Sequence, residues 1–184
     1  MKLDSMNYVV EIPENVSVKI HDDGTFAIKG PKGELKRKFI FPRITIKEQN
    51  GKVVFDTKKP TKREKSAIFT TEAHLKNMFN GVLNGCVYKL KICSGHFPMK
   101  VTLKGNVLEV KNYMGETVPR KLTIKPNVEV KVSEPEIIVT GIDLELTSQV
   151  AASIEQLTRR PNFDRRIFQD GIYIVNKNGV EIKN

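Results

Sequence analysis

The sequence predicts an α+β protein made of two tandem copies of one module, in which an antiparallel β-sheet is covered on one face by a helix. The first observation is an internal repeat: residues 26–34 (FAIKGPKGE) and 108–116 (LEVKNYMGE) share the pattern apolar-x-apolar-Lys-x-x-x-Gly-Glu. The second is that short alternating segments surround each copy and a helical pattern closes each block. We therefore expect one module over residues 1–84 and another over residues 85–184.

Each block contains two predicted hairpins separated by a basic segment. Period-two alternation bounded by Gly, Asn, Asp or Pro is typical of strands joined by tight turns. In the first block these are residues 18–20 with a turn at Asp23-Gly24, a basic strand entry at Lys36, Arg37 and Lys38, and residues 44–46 and 53–55 joined at Asn50-Gly51. In the second block the first hairpin contains residues 101–103 with a turn at Gly105-Asn106. A basic entry at Arg120 and Lys121 leads into residues 122–124. Residues 128–132 and 137–139 follow, with a turn at Glu134-Pro135 between them. The remaining predicted strands are residues 86–93, which open the second block, and a last hairpin of residues 172–175 and 180–182 around Asn178-Gly179.

A helix is predicted at the end of each block. The first follows Pro60 and opens with Thr61 and Glu64, the capping-box pattern that satisfies free amide groups at a helix start. The second is predicted to start at Asp143. Apolar residues spaced by about three, four and seven positions place one buried stripe on each helix. The stripes are Ile68, Leu75, Met78, Phe79 and Val82 in the first helix, and Leu146, Val150, Ile154 and Leu157 in the second.

The chain is basic, with 31 Lys and Arg against 21 Asp and Glu and a formal net charge of +10. This charge favours a polyanion as partner, and the alternative is a basic surface that binds nothing. No segment has the run of apolar residues that a membrane span needs, and the start lacks the layout of a signal peptide, so we expect a cytoplasmic protein with no membrane partner. Cys86 and Cys93 are the only cysteines and lie in an alternating apolar run, so we expect them to be reduced packing residues.

Catalytic motifs are missing from the sequence. The phosphate-binding, nucleophile-elbow, zinc-protease and dinucleotide-binding patterns do not occur. His21, His74 and His96 are scattered, and only Cys93 and His96 have the separation of metal ligands; two ligands cannot complete a tetrahedral zinc site. We therefore expect no enzyme, no metal, no cofactor and no small-molecule substrate.

The most organised basic residues lie at the exit of the second predicted helix. Arg159, Arg160, Arg165 and Arg166 fall within eight residues, and Lys177 follows them. Guanidinium groups bind phosphates in a bidentate manner, so we predict that this segment contacts RNA. The alternative is that cations at a helix C-terminus only offset the helix dipole, by about 0.3–1 kcal/mol each, and four arginines exceed that need.

A second basic cluster follows the strand that opens the second block. Alternation places Lys89 and Lys91 on one face of this strand, with Val87 and Cys93, and it places Tyr88, Leu90 and Ile92 on the other face. His96 either stacks on a base or bonds to a phosphate, or is an ordinary loop histidine. The RNA contacts predicted in this cluster are Lys89, Lys91, Ser94, His96 and Lys100.

The first module has cations at its helix entry that are either solvated or RNA-facing, namely Lys58, Lys59, Lys62, Arg63 and Lys65.

Residues 142–175 (IDLELTSQVAASIEQLTRRPNFDRRIFQDGIYIV) resemble the C-terminal signature of the archaeal and eukaryotic branch of large-subunit ribosomal protein six. Its run of Arg-x-Phe-x-Asp-Gly-apolar-Tyr-apolar stands here at residues 166–174. Three further stretches are similar to the same family: VEIPENV with IKGPKGELKRKF, YKLKICSGHFPMKV, and EVKNYMGE. The resemblance covers essentially the whole chain in order. It departs from the bacterial branch, which ends in a run rich in glycine and lysine.

The resemblance implies a structural protein that binds large-subunit ribosomal RNA mainly through its second module and tail. It also implies a place near the sarcin-ricin loop and the base of the factor-binding stalk, beside the ribosomal proteins of the stalk base and close to translational GTPases. No catalytic residue comes with it. The positions that it carries over as RNA contacts are His96, Lys100, Gln149, Arg159, Arg160, Arg165 and Arg166. Two alternatives remain: an RNA-processing factor, and a protein-interaction module whose binding survives high salt.

Overall fold

The computed structural model describes residues 5–49, 51–164 and 166–182. The chain divides into two compact units, Met1–Gly85 and Cys86–Asn184, called unit 1 and unit 2 below. Each unit combines antiparallel strands with one α-helix, so the α+β fold in two tandem modules is confirmed.

Unit 1 contains six strands and one helix in its described residues. They are β1 (Ser5–Glu11), β2 (Ser17–Ile20), β3 (Thr25–Gly30), β4 (Gly33–Lys38), β5 (Thr45–Gln49), β6 (Lys52–Lys58) and α1 (Lys62–Asn84). The strands form two antiparallel sheets, with the orders β1-β6-β5 and β2-β3-β4. Both predicted hairpins are present, although one residue of the second turn, Asn50, lies outside the described residues.

The start and the buried face of α1 are as the sequence predicted. Thr61 accepts a hydrogen bond from the Arg63 amide at 3.2 Å, and Glu64 accepts one from the Thr61 amide at 2.9 Å, which completes the capping box. All five residues of the predicted stripe are buried. The helix ends at Asn84 and is followed by the capping residue Gly85, whose φ of 72° suits a residue without a Cβ atom. The helix packs on β3 and β4, so the core of unit 1 lies between α1 and the sheets.

Unit 2 repeats this order of elements and then adds a hairpin. Its described strands and α-helix are β7 (Cys86–Cys93), β8 (Lys100–Lys104), β9 (Val107–Lys111), β10 (Arg120–Thr123), β11 (Val128–Ser133), β12 (Glu136–Gly141), α2 (Leu144–Leu157), β13 (Gly171–Lys177) and β14 (Val180–Glu181), and a short 3-10 helix spans Tyr113–Gly115. The sheets have the orders β10-β9-β8 and β11-β12-β7-β13-β14. All the strand pairs are antiparallel.

Each module has two sheets, and the sequence had indicated one. The connection from the first ladder to the second runs through residues 39–44 in unit 1 and residues 124–127 in unit 2. These connections contain Pro42 and Pro126, and proline has no amide hydrogen to donate to a ladder. The strand before each connection therefore ends, and the next strand joins a different sheet.

The buried stripe of α2 differs from the predicted one at both ends. Val150 and Ile154 are buried, but Leu146 and, at the other end, Leu157 are only half-buried, and Thr147 occupies the inward position of the first turn. The Thr147 hydroxyl donates to the carbonyl of Asp143 at 2.6 Å, which satisfies its polar group inside the core. Gly141 makes room for this threonine, because a Cβ atom at position 141 would lie 2.2 Å from Oγ1 of Thr147.

The last hairpin is present, and its first strand is part of the unit 2 core. In β13, Ile172 pairs with Ile92 and Ile174 pairs with Leu90 of β7. Ile172 is fully buried and Ile174 is 8% exposed. The helix α2 packs on β7, β12 and β13. The segment that leads from α2 into β13 is therefore held at both of its ends by the core.

Candidate nucleic-acid interface

The carbonyl groups at the end of α2 are capped by Arg120, which precedes the helix in the chain. Its Nη1 atom donates to the carbonyl of Leu157 at 2.7 Å and to that of Arg159 at 3.4 Å. A positive group in this place offsets the negative end of the helix dipole. This is the role that the alternative interpretation gave to the arginines of the tail, and Arg120 fills it.

Arg120 is itself held by a carboxylate and a ring. Its Nε and Nη2 atoms donate to the two carboxylate oxygens of Glu116 at 2.8 and 2.7 Å, and its guanidinium lies 4.4 Å from the ring centre of Tyr113. The hydrogen bond from Arg120 lowers the pKa of Glu116. Burial raises the pKa of Tyr113, whose hydroxyl donates to the Thr158 carbonyl. These contacts fix the point at which the chain leaves α2.

The three described arginines after α2, Arg159, Arg160 and Arg166, are exposed and have different surroundings. The Arg160 guanidinium lies 4.3 Å from the ring centre of Phe163. Arg166 donates to both carboxylate oxygens of Asp164, at 3.1 and 2.8 Å. This pairing lowers the pKa of Asp164. Within the described part of the chain, the side chain of Arg159 makes no ion pair, and Arg165 lies outside the described residues.

A buried carboxylate connects the end of this segment to the turn after β7. Asp170 is 4% exposed and accepts hydrogen bonds from the backbone amides of Gly95 and His96, the latter at 3.1 Å. Its second oxygen lies 3.2 Å from Nδ1 of His96. Asp170 therefore holds His96 next to the tail, with the imidazole side chain still 47% exposed.

Two phenylalanines complete the arrangement. The Phe168 ring centre lies 5.5 Å from that of His96 and 5.2 Å from that of Phe163, the latter at an interplanar angle of 82°. We use the name tail cluster for the five side chains that these contacts and the chain bring together: His96, Arg159, Arg160, Phe163 and Phe168. Planar rings beside guanidinium groups are the chemistry with which proteins bind RNA bases and phosphates.

The other predicted contacts lie away from the tail cluster. Lys89 and Lys91 are exposed on the face of β7 opposite α2, and Glu136 pairs across from Lys91, so this face carries both signs of charge. Lys177 pairs with Tyr88, five residues along β7 from the end that carries His96, a distance of roughly 17 Å.

Three further predicted contacts sit on other elements of unit 2. Ser94 is exposed beside the turn that Asp170 holds. Lys100 is exposed at the start of β8, opposite Lys111. Gln149 is exposed on α2 and accepts a hydrogen bond from Lys125.

Sequence reasoning missed four residues of this region: Phe163, Phe168, Asp170 and Arg120. The two phenylalanines had a usable signal, because aromatic residues interleaved with arginines are typical of RNA-binding segments. Asp170 belongs to the family signature at residues 166–174, but no pattern indicated its role or that of Arg120, because the groups that they hold lie 75 and 37 residues away in the chain. In the described residues no group of three or more His, Cys, Asp or Glu side chains is placed to hold a metal ion. None of the described helices has the length and apolar character to cross a membrane.

Comparison with known proteins identifies the family. A family model described as Ribosomal protein L6 matches the chain twice, over residues 12–85 and 97–171. The large ribosomal subunit protein uL6 of Methanosarcina mazei is 46% identical over 168 residues, which cover 91% of this chain and 95% of the relative. The large ribosomal subunit protein uL6 of Methanococcus vannielii is 46% identical over 170 residues, which cover 92% and 93%. Both matches of the family model and both archaeal relatives agree with the resemblance found in the sequence, and the chain belongs to the ribosomal protein L6 family.

Proposed function

We propose that this protein is a structural constituent of the large ribosomal subunit and binds large-subunit ribosomal RNA through the tail cluster of unit 2. Membership of the ribosomal protein L6 family supports the first part, together with relatives that are named as large-subunit proteins. The role is structural and non-enzymatic, and the ribosome places it in the cytoplasm. One observation carries the second part: Arg120 caps α2, so Arg159 and Arg160 are not needed for the helix. Both face solvent, and Arg160 lies over the ring of Phe163.

The binding mechanism is electrostatic and depends on RNA shape. Arginines that contact phosphates release the counterions condensed on the RNA, so the logarithm of affinity falls linearly with the logarithm of salt concentration. Six phosphate contacts give a slope of about −4 to −5. The net charge of +10 adds long-range attraction to the polyanion.

The location that we propose is the region of the sarcin-ricin loop and the stalk base, where translational GTPases dock. Its support is the family resemblance of residues 142–175. In this arrangement unit 2 is the main RNA-binding unit. Unit 1 is a spacer and a docking surface for neighbouring ribosomal proteins, with fewer RNA contacts.

The test is chemical footprinting of deproteinised large-subunit ribosomal RNA with the full-length protein and with a variant in which Arg159, Arg160, Arg165 and Arg166 are all changed to Ala. We expect the wild-type protein to protect one compact RNA region. In the variant we expect this protection to be lost at moderate salt. The slope of log affinity against log salt should become less negative by about 0.7–0.9 for each phosphate contact removed.

A matched control removes four cations from unit 1, by changing Lys58, Lys62, Arg63 and Lys65 to Ala. Both variants lower the formal net charge from +10 to +6, so a difference between them reports position and not total charge. The control should keep the wild-type footprint. Protection that is unaffected by the arginine changes, or that is lost only in the control, would move the RNA-binding site to unit 1.

A further inference from the structure

A cavity of about 450 Å³ opens at the end of α2, beside the tail cluster. Its lining includes Tyr113, Arg159, Arg160, Phe163 and Phe168. The volume falls in the range of sites that enclose a small planar ligand. The cavity has a fixed floor, because Thr158 and Ile172 are buried and the Thr158 hydroxyl accepts a hydrogen bond from the Ile172 amide at 2.9 Å.

The walls offer flat surfaces that are only partly covered. Phe163 is 37% exposed, even though Phe168 meets it edge to face and Arg160 lies over its ring. An aromatic ring paired with a guanidinium gives two stacked planes, and bases stack on both kinds of surface. The exposed part of the Phe163 ring is apolar area that a planar ligand would remove from water.

The charge around the opening selects the ligand. Arg159 is exposed at the rim, and within the described residues its guanidinium has no carboxylate partner. The lining contains two acids, and both are engaged inside the unit. The Glu155 carboxylate accepts a hydrogen bond from the Ile174 amide at 3.1 Å, and the buried Asp170 carboxylate accepts from the amides of Gly95 and His96. The opening therefore combines free positive charge with aromatic walls. This combination fits a planar base that carries a phosphate better than it fits an acidic peptide. The acidic side chains of such a peptide supply negative charge but no planar ring to stack on the walls.

We propose that this cavity takes one unpaired ribonucleotide of the ribosomal RNA, with its base against Phe163 and Phe168 and its phosphate on Arg159. The site rests on the proposed RNA-binding function and adds to it a contact made by a base. Arg120 and Tyr113 act here as positioning residues, because they hold the end of α2 where the cavity opens. The cavity binds by stacking, so any unpaired base of suitable shape satisfies it.

The test compares wild-type protein with Phe163→Leu on deproteinised large-subunit ribosomal RNA. Leucine keeps apolar packing and removes the plane. We expect affinity to fall on the order of tenfold, within the range found when a stacked aromatic residue is removed. The salt slope should not change, because no cation is lost. Within the footprint, one unpaired nucleotide should regain base reactivity towards dimethyl sulfate or carbodiimide.

The control is Phe69→Leu, which changes an aromatic residue of unit 1 that is 48% exposed. It should bind like the wild type. A second measurement does not depend on the folding of a variant: ribosomal RNA containing 4-thiouridine is irradiated in complex with wild-type protein. The expected result is a crosslink to the peptide that carries Phe163 or Phe168.

The outcomes separate this inference from the function on which it rests. A localised wild-type footprint with unchanged Phe163→Leu affinity, or with crosslinks only to other peptides, overturns the nucleotide site and leaves RNA binding by the arginines intact. No localised footprint with the wild-type protein overturns both. In intact large subunits, chemical crosslinking of the segment around Phe163 to a neighbouring protein and not to RNA would assign the cavity to a peptide and overturn the nucleotide site.

Discussion

Units 1 and 2 have the same core topology, with corresponding residues 82 positions apart. The sheet order β5-β6-β1 matches β11-β12-β7, and the pair Tyr8 and Phe55 corresponds to the pair Leu90 and Ile137. The helices begin at corresponding caps, Thr61 and Asp143. The features that differ between the units are therefore additions to a common frame, and they indicate how unit 2 acquired the tail cluster.

The largest addition is on the outer edge of the first strand. In unit 2 this edge of β7 pairs with β13. In unit 1 the corresponding edge of β1 pairs with none of the described strands, and Phe69 of α1 instead packs against Tyr8 at a ring distance of 5.3 Å. The position of α2 that corresponds to Phe69 is Ala151, which is fully buried. A small residue there lets α2 lie close to its sheet, and the added strand anchors the segment that carries the arginines.

The second difference concerns the repeated Gly-Glu pair. In unit 1, Glu34 is exposed and pairs with Lys36 at 3.2 Å. In unit 2 the corresponding Glu116 holds Arg120, which caps α2. The same motif is a surface ion pair in one unit and part of the support of the tail cluster in the other. Similar sequence patterns thus have different consequences, because the glutamate of unit 2 holds an arginine that caps a helix.

The largest expected effect comes from Ile172→Ala, which tests whether β13 is part of the core. Ile172 is fully buried between β7 and α2, so its truncation should lower the free energy of unfolding of unit 2 by about 2–5 kcal/mol. Amide hydrogen exchange read by mass spectrometry in the full-length protein should show faster exchange in β7, β12 and β13. Unit 1 should keep its wild-type rates.

The matched control for this prediction is Val180→Ala in the same hairpin, where the side chain is 69% exposed. It should leave exchange in unit 2 unchanged. If the two substitutions have equal effects, or if amides exchange at wild-type rates in Ile172→Ala, then β7 does not need β13 beside it. Its outer edge would then be like that of β1. The comparison between the units would then lose its main difference.

A smaller effect is expected from Asp170→Ala, which removes the connection between the tail and the turn after β7. Two backbone amides lose a charged acceptor, and a hydrogen bond to a charged group contributes about 1.5–3 kcal/mol. Thermal unfolding followed by circular dichroism should show the loss, and the footprint on ribosomal RNA should weaken because His96 is no longer held beside Phe168. Asp170→Asn keeps one acceptor and should restore part of the stability.

Asp164→Ala is the control, because it removes a carboxylate from the same segment whose side-chain partner, among the residues that the structure describes, is the exposed Arg166. We expect it to unfold at the wild-type temperature. If Asp170→Ala is as stable as the wild type, the tail stays in place without the Asp170 carboxylate.

The sequence predicted what depends on local patterns. The capping box at Thr61 and the strand at residues 86–93 were correct, because capping and alternation act over a few neighbouring residues. The division of each module into two sheets, the inward Thr147 and the insertion of β13 beside β7 were not predicted. These features depend on which distant segments pack together, and one sequence carries no pattern that reports such contacts.

The residues that support the tail cluster were missed for the same reason. Arg120 appeared as an ordinary basic strand entry, and its function depends on carbonyls that the fold brings to it. The arginines themselves were found, because four cations within eight residues are visible without a structure. Sequence reasoning therefore identified the side chains that face solvent and missed those that hold them.

The smallest expected effect comes from Glu116→Gln, which weakens the hold on Arg120. The bidentate pair loses its charge, and we expect unit 2 to lose about 1 kcal/mol of stability at neutral pH. Because Arg120 lowers the pKa of Glu116 in the folded protein, this contribution is present above the ordinary glutamate value of 4.5 and is lost as the pH falls through the lower folded-state value. Urea unfolding at a series of pH values should show the two proteins converging in acid.

Glu34→Gln makes the same change at the corresponding position of unit 1, where the carboxylate is exposed and supports no helix end. It should unfold like the wild type at neutral pH, because exposed ion pairs contribute little. A loss of stability in Glu34→Gln equal to that in Glu116→Gln would mean that the repeated glutamate has one role in both units. If the stability difference for Glu116→Gln persists at low pH, it does not come from the ion pair between Glu116 and Arg120. The capping of α2 would then depend on the arginine alone.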